Sequence, residues 1–106
     1  MKIWLDDVRK PPNNTWVWMK QSWEVMDLLK HPDKGRVTEI SFDHDLGEAD
    51  NSMKIAKFLE EAAYDDLYPR VQWSIHSMNP VGRRNLAAAL GNADRYWAIN
   101  ERAVAC

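Results

Sequence analysis

Apolar and polar positions along the chain alternate between short strand-like runs and helix-like stripes. Three helical patterns follow the second, third and fourth apolar runs; they begin near Ser22, near residues 51–52 and at residues 79–80. Alternation of strands and helices favours an α/β fold with a parallel sheet. The apolar runs that predict strands cover residues 1–7, 16–19, 37–43 and 71–75.

Individual residues refine these elements. Ser22 is a candidate N-cap and His31 a candidate C-terminal cap of the first helix. The second helix is predicted to end near residue 64, and the last to be interrupted at residues 91–92 and followed by a short helix over 93–102. The segment between the first two strands is shorter than the roughly twelve residues of a helical crossover, so either a helix is missing or the second strand is antiparallel. The alternation of residues 71–76 favours an edge strand or a strand with one partly open face.

Length and composition indicate one ordinary globular domain over residues 1–106. The chain is 45% hydrophobic with a net charge of −2, which argues against a binder of duplex nucleic acid. It has neither a signal-peptide pattern nor a long apolar run, so we expect no membrane partner and a cytoplasmic location. Cys106, the one cysteine, is expected to be a frayed terminus, and most of the six tryptophans are expected to fill the core. The oligomeric state is left open.

Three of the predicted strands end in polar side chains: Asp6-Asp7, Asp43-His44-Asp45 and His76-Ser77. Carboxyl ends of parallel strands share one edge of a sheet, where open α/β folds bind ligands. Converging carboxylates repel each other unless a hard cation such as Mg²⁺ or Mn²⁺ lies between them, which makes Asp6, Asp7, Asp43 and Asp45 candidate metal ligands. The alternative is that these aspartates only cap turns.

The same edge carries candidate acid–base and phosphate-binding groups. His44 and His76 are candidate catalytic residues beside Asp43, because imidazole titrates near neutral pH; the alternative is that both are structural. The N-terminus of the last helix offers free backbone N–H groups that suit an anion. For Asn79 the alternative is that its side chain only caps this helix. The candidate phosphate-binding residues are Arg9, Ser77, Asn79, Gly82 and Arg83.

This arrangement resembles the receiver domain of two-component signalling. The resemblance implies a flavodoxin-like fold, Mg²⁺ held by Asp6, Asp7 and Asp43, phosphoryl transfer to Asp43, and a phosphoryl contact from Ser77. The chain departs from that pattern because it has no lysine after Lys57, where receivers carry one on a fifth strand. We also expect it to lack the first helix and the fifth strand–helix unit of a receiver.

Three segments, residues 3–9, 40–47 and 75–82, are similar to the signatures of cyclic-phosphate processing receiver domains. The resemblance covers about residues 2–90 and implies a bacterial or phage protein that acts on cyclic nucleotides or other cyclic phosphates in defence conflicts. The expected fold is a compact three-layer α/β receiver-like domain of about four strands and three to four helices.

Three hypotheses follow for the function. The first is a metal-dependent phosphoesterase that acts on a small phosphorylated ligand such as a cyclic nucleotide, with His44 or His76 protonating the leaving oxygen. The second is a module that binds such a ligand without turnover. The third is a degenerate receiver phosphorylated on Asp43, against which the missing late lysine counts.

Overall fold

The computed structural model of the protein describes residues 1–47 and 49–105. Cys106, the expected frayed terminus, lies outside the described residues. A short 3₁₀-helix, Pro32–Lys34, precedes the third strand. The strands are β1 (Lys2–Leu5), β2 (Trp16–Met19), β3 (Glu39–Phe42) and β4 (Gln72–Ile75), and the helices are α1 (Ser22–Lys30), α2 (Met53–Tyr64) and α3 (Pro80–Ala105).

All four strands pair in parallel, in the order β2-β1-β3-β4. The register places Leu5 beside Phe42, and Phe42 beside Ile75, so the residues after these strands emerge together at one edge. The direction of β2, which the sequence left open, is parallel, and a loop rather than a helix connects it to β1. The prediction that β4 is an edge strand is confirmed.

The helices pack on one face of the sheet. Helix α2 contacts both α1 and α3, and the side chains of the two central strands on that face are fully buried. In the described residues no helix covers the opposite face, so the reduced receiver-like sheet has two layers rather than the predicted three. The buried side chains of β1 and β3 on the helical face are Ile3, Leu5, Ile40 and Phe42.

Helix α3 runs without a break, so the predicted interruption at residues 91–92 is wrong. Leu86, Leu90, Ala93 and Trp97 recur at helical spacing and are all buried, and this continuous apolar stripe outweighs the modest helix cost of Gly91. None of the helices in residues 1–47 and 49–105 combines the length and apolar character of a membrane span.

The start of α1 differs from the prediction in one residue. Gln21 is the N-cap, and its side chain forms a capping box with Glu24, whereas Ser22 is the first helical residue. Ser22 instead contacts Asp50, which accepts hydrogen bonds from both its backbone N–H and its hydroxyl. The predicted C-terminal cap, His31, is confirmed: its backbone N–H donates to the carbonyl of Leu28.

The tryptophans do not fill the core as predicted. Trp97 is buried, but Trp23 and Trp18 are exposed, and the other three are half-buried. The reason lies in the sheet, because Trp4, Trp16 and Trp18 belong to the face that no helix of the described residues covers.

Candidate functional site

The polar residues predicted at the strand ends do meet at the carboxyl edge of the sheet. They line an open cavity of about 310 Å³. The cavity brings together most of the predicted site residues and also includes two exposed apolar side chains. Its lining consists of Asp6, Asp7, Val8, Arg9, Asp43, Asp45, His76, Ser77, Met78 and Asn79.

Three carboxylates form the centre of this site. One carboxylate oxygen each from Asp6, Asp7 and Asp43 lies within 4.8 Å of the other two. Such a group of hard oxygen donors is suited to a divalent cation and is typical of receiver domains. Asp45 lines the same cavity but is engaged differently: its carboxylate lies 2.9 Å from Nδ1 of His44 and accepts a hydrogen bond from the Asn79 amide. Its role as a fourth ligand stays a prediction.

Asp6 is buried and firmly held. Its Oδ1 accepts hydrogen bonds from the backbone N–H groups of Val8 and Arg9, at 2.8 and 2.7 Å. Its Oδ2 lies 3.0 Å from Nε2 of His76. The turn after β1 and the end of β4 therefore fix this carboxylate from both sides.

Protonation of Asp43 is favoured by its surroundings. Burial is the largest cause that raises the pKa of Asp43, and the nearby charge of Asp6 adds to it. The Ser77 hydroxyl and the charge of His76 oppose the rise only in part. An ionised Asp43 therefore lacks compensating positive charge, which is the electrostatic condition that a bound cation relieves.

Asp45 has the opposite electrostatic environment. Hydrogen bonds from His44 and then from Asn79 lower the pKa of Asp45, outweighing a small opposing effect of burial. Asp43 and Asp45 are only two positions apart, yet the protein disfavours the charge on one and stabilises it on the other.

His76 lies inside a network that sequence reasoning did not identify. Its Nδ1 is 2.8 Å from the hydroxyl of Ser41, and its ring stacks on Trp4 with centroids 3.9 Å apart. Ser41 is buried in the middle of β3. The sequence does contain one signal for this network, because a serine between the apolar residues Ile40 and Phe42 indicates a buried hydroxyl that needs a hydrogen-bond partner.

His44 does not line this cavity. Its ring packs on helix α3, where a Cβ added to Gly82 would lie 2.4 Å from its Cγ atom. The absence of a side chain at Gly82 thus makes room for His44, whereas we predicted only that Gly82 takes part in phosphate binding. The assignments of His44 to acid–base work and of Gly82 to phosphate binding stay predictions.

The predicted phosphate-binding residues divide into two groups. Arg9 and Ser77 line the cavity, as does Asn79, which also caps α3: its Oδ1 accepts a hydrogen bond from the Gly82 backbone N–H at 3.0 Å. Arg83 is exposed on the first turn of α3 and lies outside the cavity lining. Their roles toward phosphate are predictions.

Comparison with known protein families decides what kind of domain this is. The model of the cyclic-phosphate processing receiver domain matches residues 1–92 of the chain. The chain belongs to this family. Neither the curated proteins nor the solved structures gave a significant match. In this cyclic-phosphate processing receiver domain, the matched segment contains all four strands and every residue that lines the cavity.

Proposed function

We propose that the protein is a metal-dependent phosphoesterase that opens the ring of a cyclic phosphate, with a cyclic nucleotide as the ligand. The observation that carries this proposal is the convergence of the carboxylates of Asp6, Asp7 and Asp43 in one open cavity. Membership of a family associated with cyclic-phosphate processing supports the choice of substrate class.

The three carboxylates fit Mg²⁺ or Mn²⁺ because all of them offer hard oxygen atoms at close range. The raised pKa of Asp43, caused first by burial and then by Asp6, supports the same conclusion, since the site is incompletely neutralised by the protein alone. When bound, such a cation supplies Lewis acidity toward a phosphoryl oxygen and lowers the pKa of a coordinated water.

The chain's own residues would bind and orient the substrate. Arg9 lines the cavity and is exposed, and it would neutralise phosphate charge. Ser77 is buried at the cavity wall, accepts a hydrogen bond from the Asn79 backbone N–H and donates its hydroxyl to Asp43. Its contact with a phosphoryl oxygen would require that hydroxyl to turn from Asp43 to the ligand. Asp45 holds Asn79 and thereby supports the cap of α3 beside the cavity.

Of the two histidines, we assign His76 to holding Asp6 and leave His44 as the candidate proton donor. Both ring nitrogens of His76 lie at hydrogen-bond distance from protein groups, Asp6 and Ser41. His44 is held by Asp45 at Nδ1 and is only partly exposed, so it would have to reach the leaving oxygen across the rim formed by Asn79.

Hydrolysis of a cyclic nucleotide panel in the presence of Mg²⁺ or Mn²⁺ tests the proposal. We expect turnover by the wild type, loss of turnover on chelation, and loss in Asp43→Asn. Asp33→Asn is the matched control, because Asp33 is exposed and lies in the 3₁₀-helix that precedes β3, away from the carboxyl edge. Absence of turnover of every cyclic nucleotide with either metal would overturn the phosphoesterase proposal.

A second candidate function is capture of the same ligand without turnover. It is favoured by the position of the two imidazoles, since His76 is engaged at both nitrogens and His44 is not part of the cavity lining. In that case the ligand would bind with the metal and would be recovered intact after long incubation. Calorimetric titration of wild type and Asp43→Asn with Mn²⁺ then measures the site independently of catalysis.

A further inference from the structure

The sheet face that no described helix covers carries a group of aromatic and basic side chains at its β1–β2 side. In the parallel register Lys2 pairs with Trp16 and Trp4 pairs with Trp18, so these four side chains share one face. Lys20 follows β2 at the same edge. We call Lys2, Trp4, Trp16, Trp18 and Lys20 the tryptophan surface.

Hydrogen bonds hold two of the indole rings of this surface. The Nε1–H of Trp18 donates to the carbonyl of Asp6 at 2.7 Å, and that of Trp4 donates to the carbonyl of Arg9 at 2.8 Å. Trp16 contacts Trp4 edge-to-face, with ring centroids 5.9 Å apart. The rings are therefore preorganised, which lowers the entropy cost of binding another flat group.

The charge on this surface is positive. The Nζ atom of Lys2 lies 4.3 Å from the ring centroid of Trp16, and that of Lys20 lies 4.6 Å from the ring centroid of Trp18. Arg9, which lines the acidic cavity, is bonded through its carbonyl to Trp4. Flat aromatic rings with adjacent cations complement a ligand that combines an aromatic base with phosphate.

The rest of this face argues against a covering helix. Its positions on β3 and β4 are occupied by Glu39, Ser41, Gln72 and Ser74, all polar. Strands of a parallel sheet that are covered on both faces are apolar on both faces. An apolar partner could therefore contact only the three indole rings. The neighbouring lysines would be desolvated without an opposite charge to compensate them.

The tryptophan surface and the acidic cavity are continuous. Trp18 donates its hydrogen bond to the backbone carbonyl of Asp6, and Trp4 stacks on His76, which contacts the Asp6 carboxylate. Trp18 lies on β2, which pairs with β1, and it is level with Trp4, two positions before Asp6. In a parallel sheet this offset separates the Cα atoms of Trp18 and Asp6 by about 8 Å. This is the scale of a single nucleotide.

We propose that the tryptophan surface binds the base of a nucleotide whose cyclic phosphate occupies the acidic cavity, with Trp18 as the main stacking partner. This inference rests on the proposed function and narrows its substrate class to cyclic phosphates that carry a base. The base displaces the ammonium of Lys20 from the Trp18 ring, because an exposed cation–π contact is weaker than base–aromatic stacking. The displaced ammonium then faces the phosphate.

Calorimetry with cyclic AMP and with a base-free ribose cyclic phosphate, each supplied as a hydrolysis-resistant phosphorothioate with Mn²⁺ present, tests this inference. We expect wild type to bind cyclic AMP more tightly than the base-free compound. Trp18→Ala should weaken cyclic AMP binding by about fivefold to a hundredfold, whereas Trp18→Phe should retain most of it. Binding of Mn²⁺ and of the base-free compound should change by less than about twofold in either variant, because neither contacts the base subsite.

Trp23→Ala is the matched control, since Trp23 is exposed on α1 and does not belong to the tryptophan surface. Circular dichroism shows whether each variant is folded, and Trp18→Phe provides the second variant if Trp18→Ala does not fold. Equal affinity of wild type for cyclic AMP and the base-free compound would overturn this inference and leave the phosphoesterase proposal standing. Failure of wild type to bind either compound would overturn both.

Discussion

Nε2 of His76 lies 3.0 Å from Oδ2 of Asp6, although these residues are 70 positions apart in the chain. A carboxylate only accepts hydrogen bonds, so Nε2 carries the proton. Nδ1 lies 2.8 Å from the Ser41 hydroxyl, which donates to Nδ1 of a neutral ring and accepts from Nδ1 of an imidazolium. In the neutral ring, the hydrogen bond from the buried serine therefore favours the tautomer whose Nε2–H holds a carboxylate of the acidic site.

We expect Ser41→Ala to weaken Mn²⁺ binding by about tenfold, as is typical when an outer partner of a metal site is removed. The ring of His76 would lose the donor that fixes its tautomer, so Asp6 would no longer be held in one orientation. Calorimetry measures the affinity, and nitrogen NMR of the imidazole measures the tautomer.

Ser74→Ala is the control for this prediction. Ser74 pairs with Ser41 in the register of β3 and β4 but is exposed. Its replacement should leave both the Mn²⁺ affinity and the His76 tautomer unchanged. An unaltered tautomer in Ser41→Ala would show that Trp4 stacking and Asp6 suffice to position the ring.

Asp43→Asn should stabilise the metal-free protein at neutral pH. Burial and the charge of Asp6 raise the pKa of Asp43 in the folded state, so the folded protein favours the protonated form. Its contribution to stability therefore decreases as pH rises from the unfolded pKa through the raised folded pKa. Asparagine removes this penalty, so the Tm with chelator should exceed that of wild type at about pH 7, and the gain should vanish near pH 3.

Asp45→Asn provides a control of opposite sign for Asp43→Asn. Hydrogen bonds from His44 and Asn79 lower the pKa of Asp45, so its charge stabilises the fold above the unfolded pKa, and this contribution is lost as pH falls through the folded pKa. The substitution should lower the Tm at about pH 7, by the equivalent of less than about 1 kcal/mol because the side chain is exposed. Tm shifts of the same sign and size in Asp43→Asn and Asp45→Asn would contradict the electrostatic contrast between the two carboxyl groups.

Asp50→Ala should destabilise the protein by about 1–3 kcal/mol, because it leaves the first N–H of α1 and the buried Ser22 hydroxyl without their acceptor. Burial disfavours the Asp50 charge, but the hydrogen bonds from Ser22 and the ammonium of Lys54 prevail and lower the pKa. The stabilisation is therefore present above the unfolded pKa and lost as pH falls through the folded one. Urea unfolding measures it.

Asp33→Ala is the control for Asp50, because Asp33 is an exposed acid close to the other end of α1. Its removal should change the urea midpoint little. If Asp50→Ala is destabilised just as much at a pH below the folded pKa of Asp50, then packing, rather than the charged acceptor, holds the loop to α1.

The sequence predicted the sheet edge well because strand ends and their polar residues are local features. Parallel pairing then brings Asp6, Asp43 and Ser77 together whatever the helices do. His44 could not be placed in this way. Its neighbours Asp43 and Asp45 both line the cavity, but the chain has left β3 by then, and only the packing of α3 shows that its ring lies against Gly82.

The tryptophans were misplaced for a different physical reason. Their burial depends on whether a helix covers the second face of the sheet, which is a property of the whole fold. The short connection between β1 and β2 was compatible with a missing helix, yet the apolar character of tryptophan predicted that most of the six fill the core. In the same way, the local helix cost of Gly91 predicted a break that the buried stripe of α3 overrides.

Gly82→Ala should destabilise the protein by about 1–3 kcal/mol, because the new methyl group would meet the His44 ring and force it to move. Its Cβ would lie 2.4, 2.7 and 2.8 Å from Cγ, Cδ2 and Cβ of His44, so no rotation of a flexible end relieves the overlap. The double variant His44→Ala, Gly82→Ala should be less destabilised than the sum of its single variants. Thermal unfolding of the four proteins measures this coupling.

Gly91→Ala is the matched helical control for Gly82→Ala. A Cβ at Gly91 meets no atom within 4 Å, so the substitution should stabilise α3 by up to about 1 kcal/mol through helix propensity alone. The two glycine replacements in one helix should therefore shift the Tm in opposite directions, by several degrees each. A stabilising Gly82→Ala would mean that His44 leaves its position on α3 at little cost, and its ring would then be free to turn toward the acidic cavity.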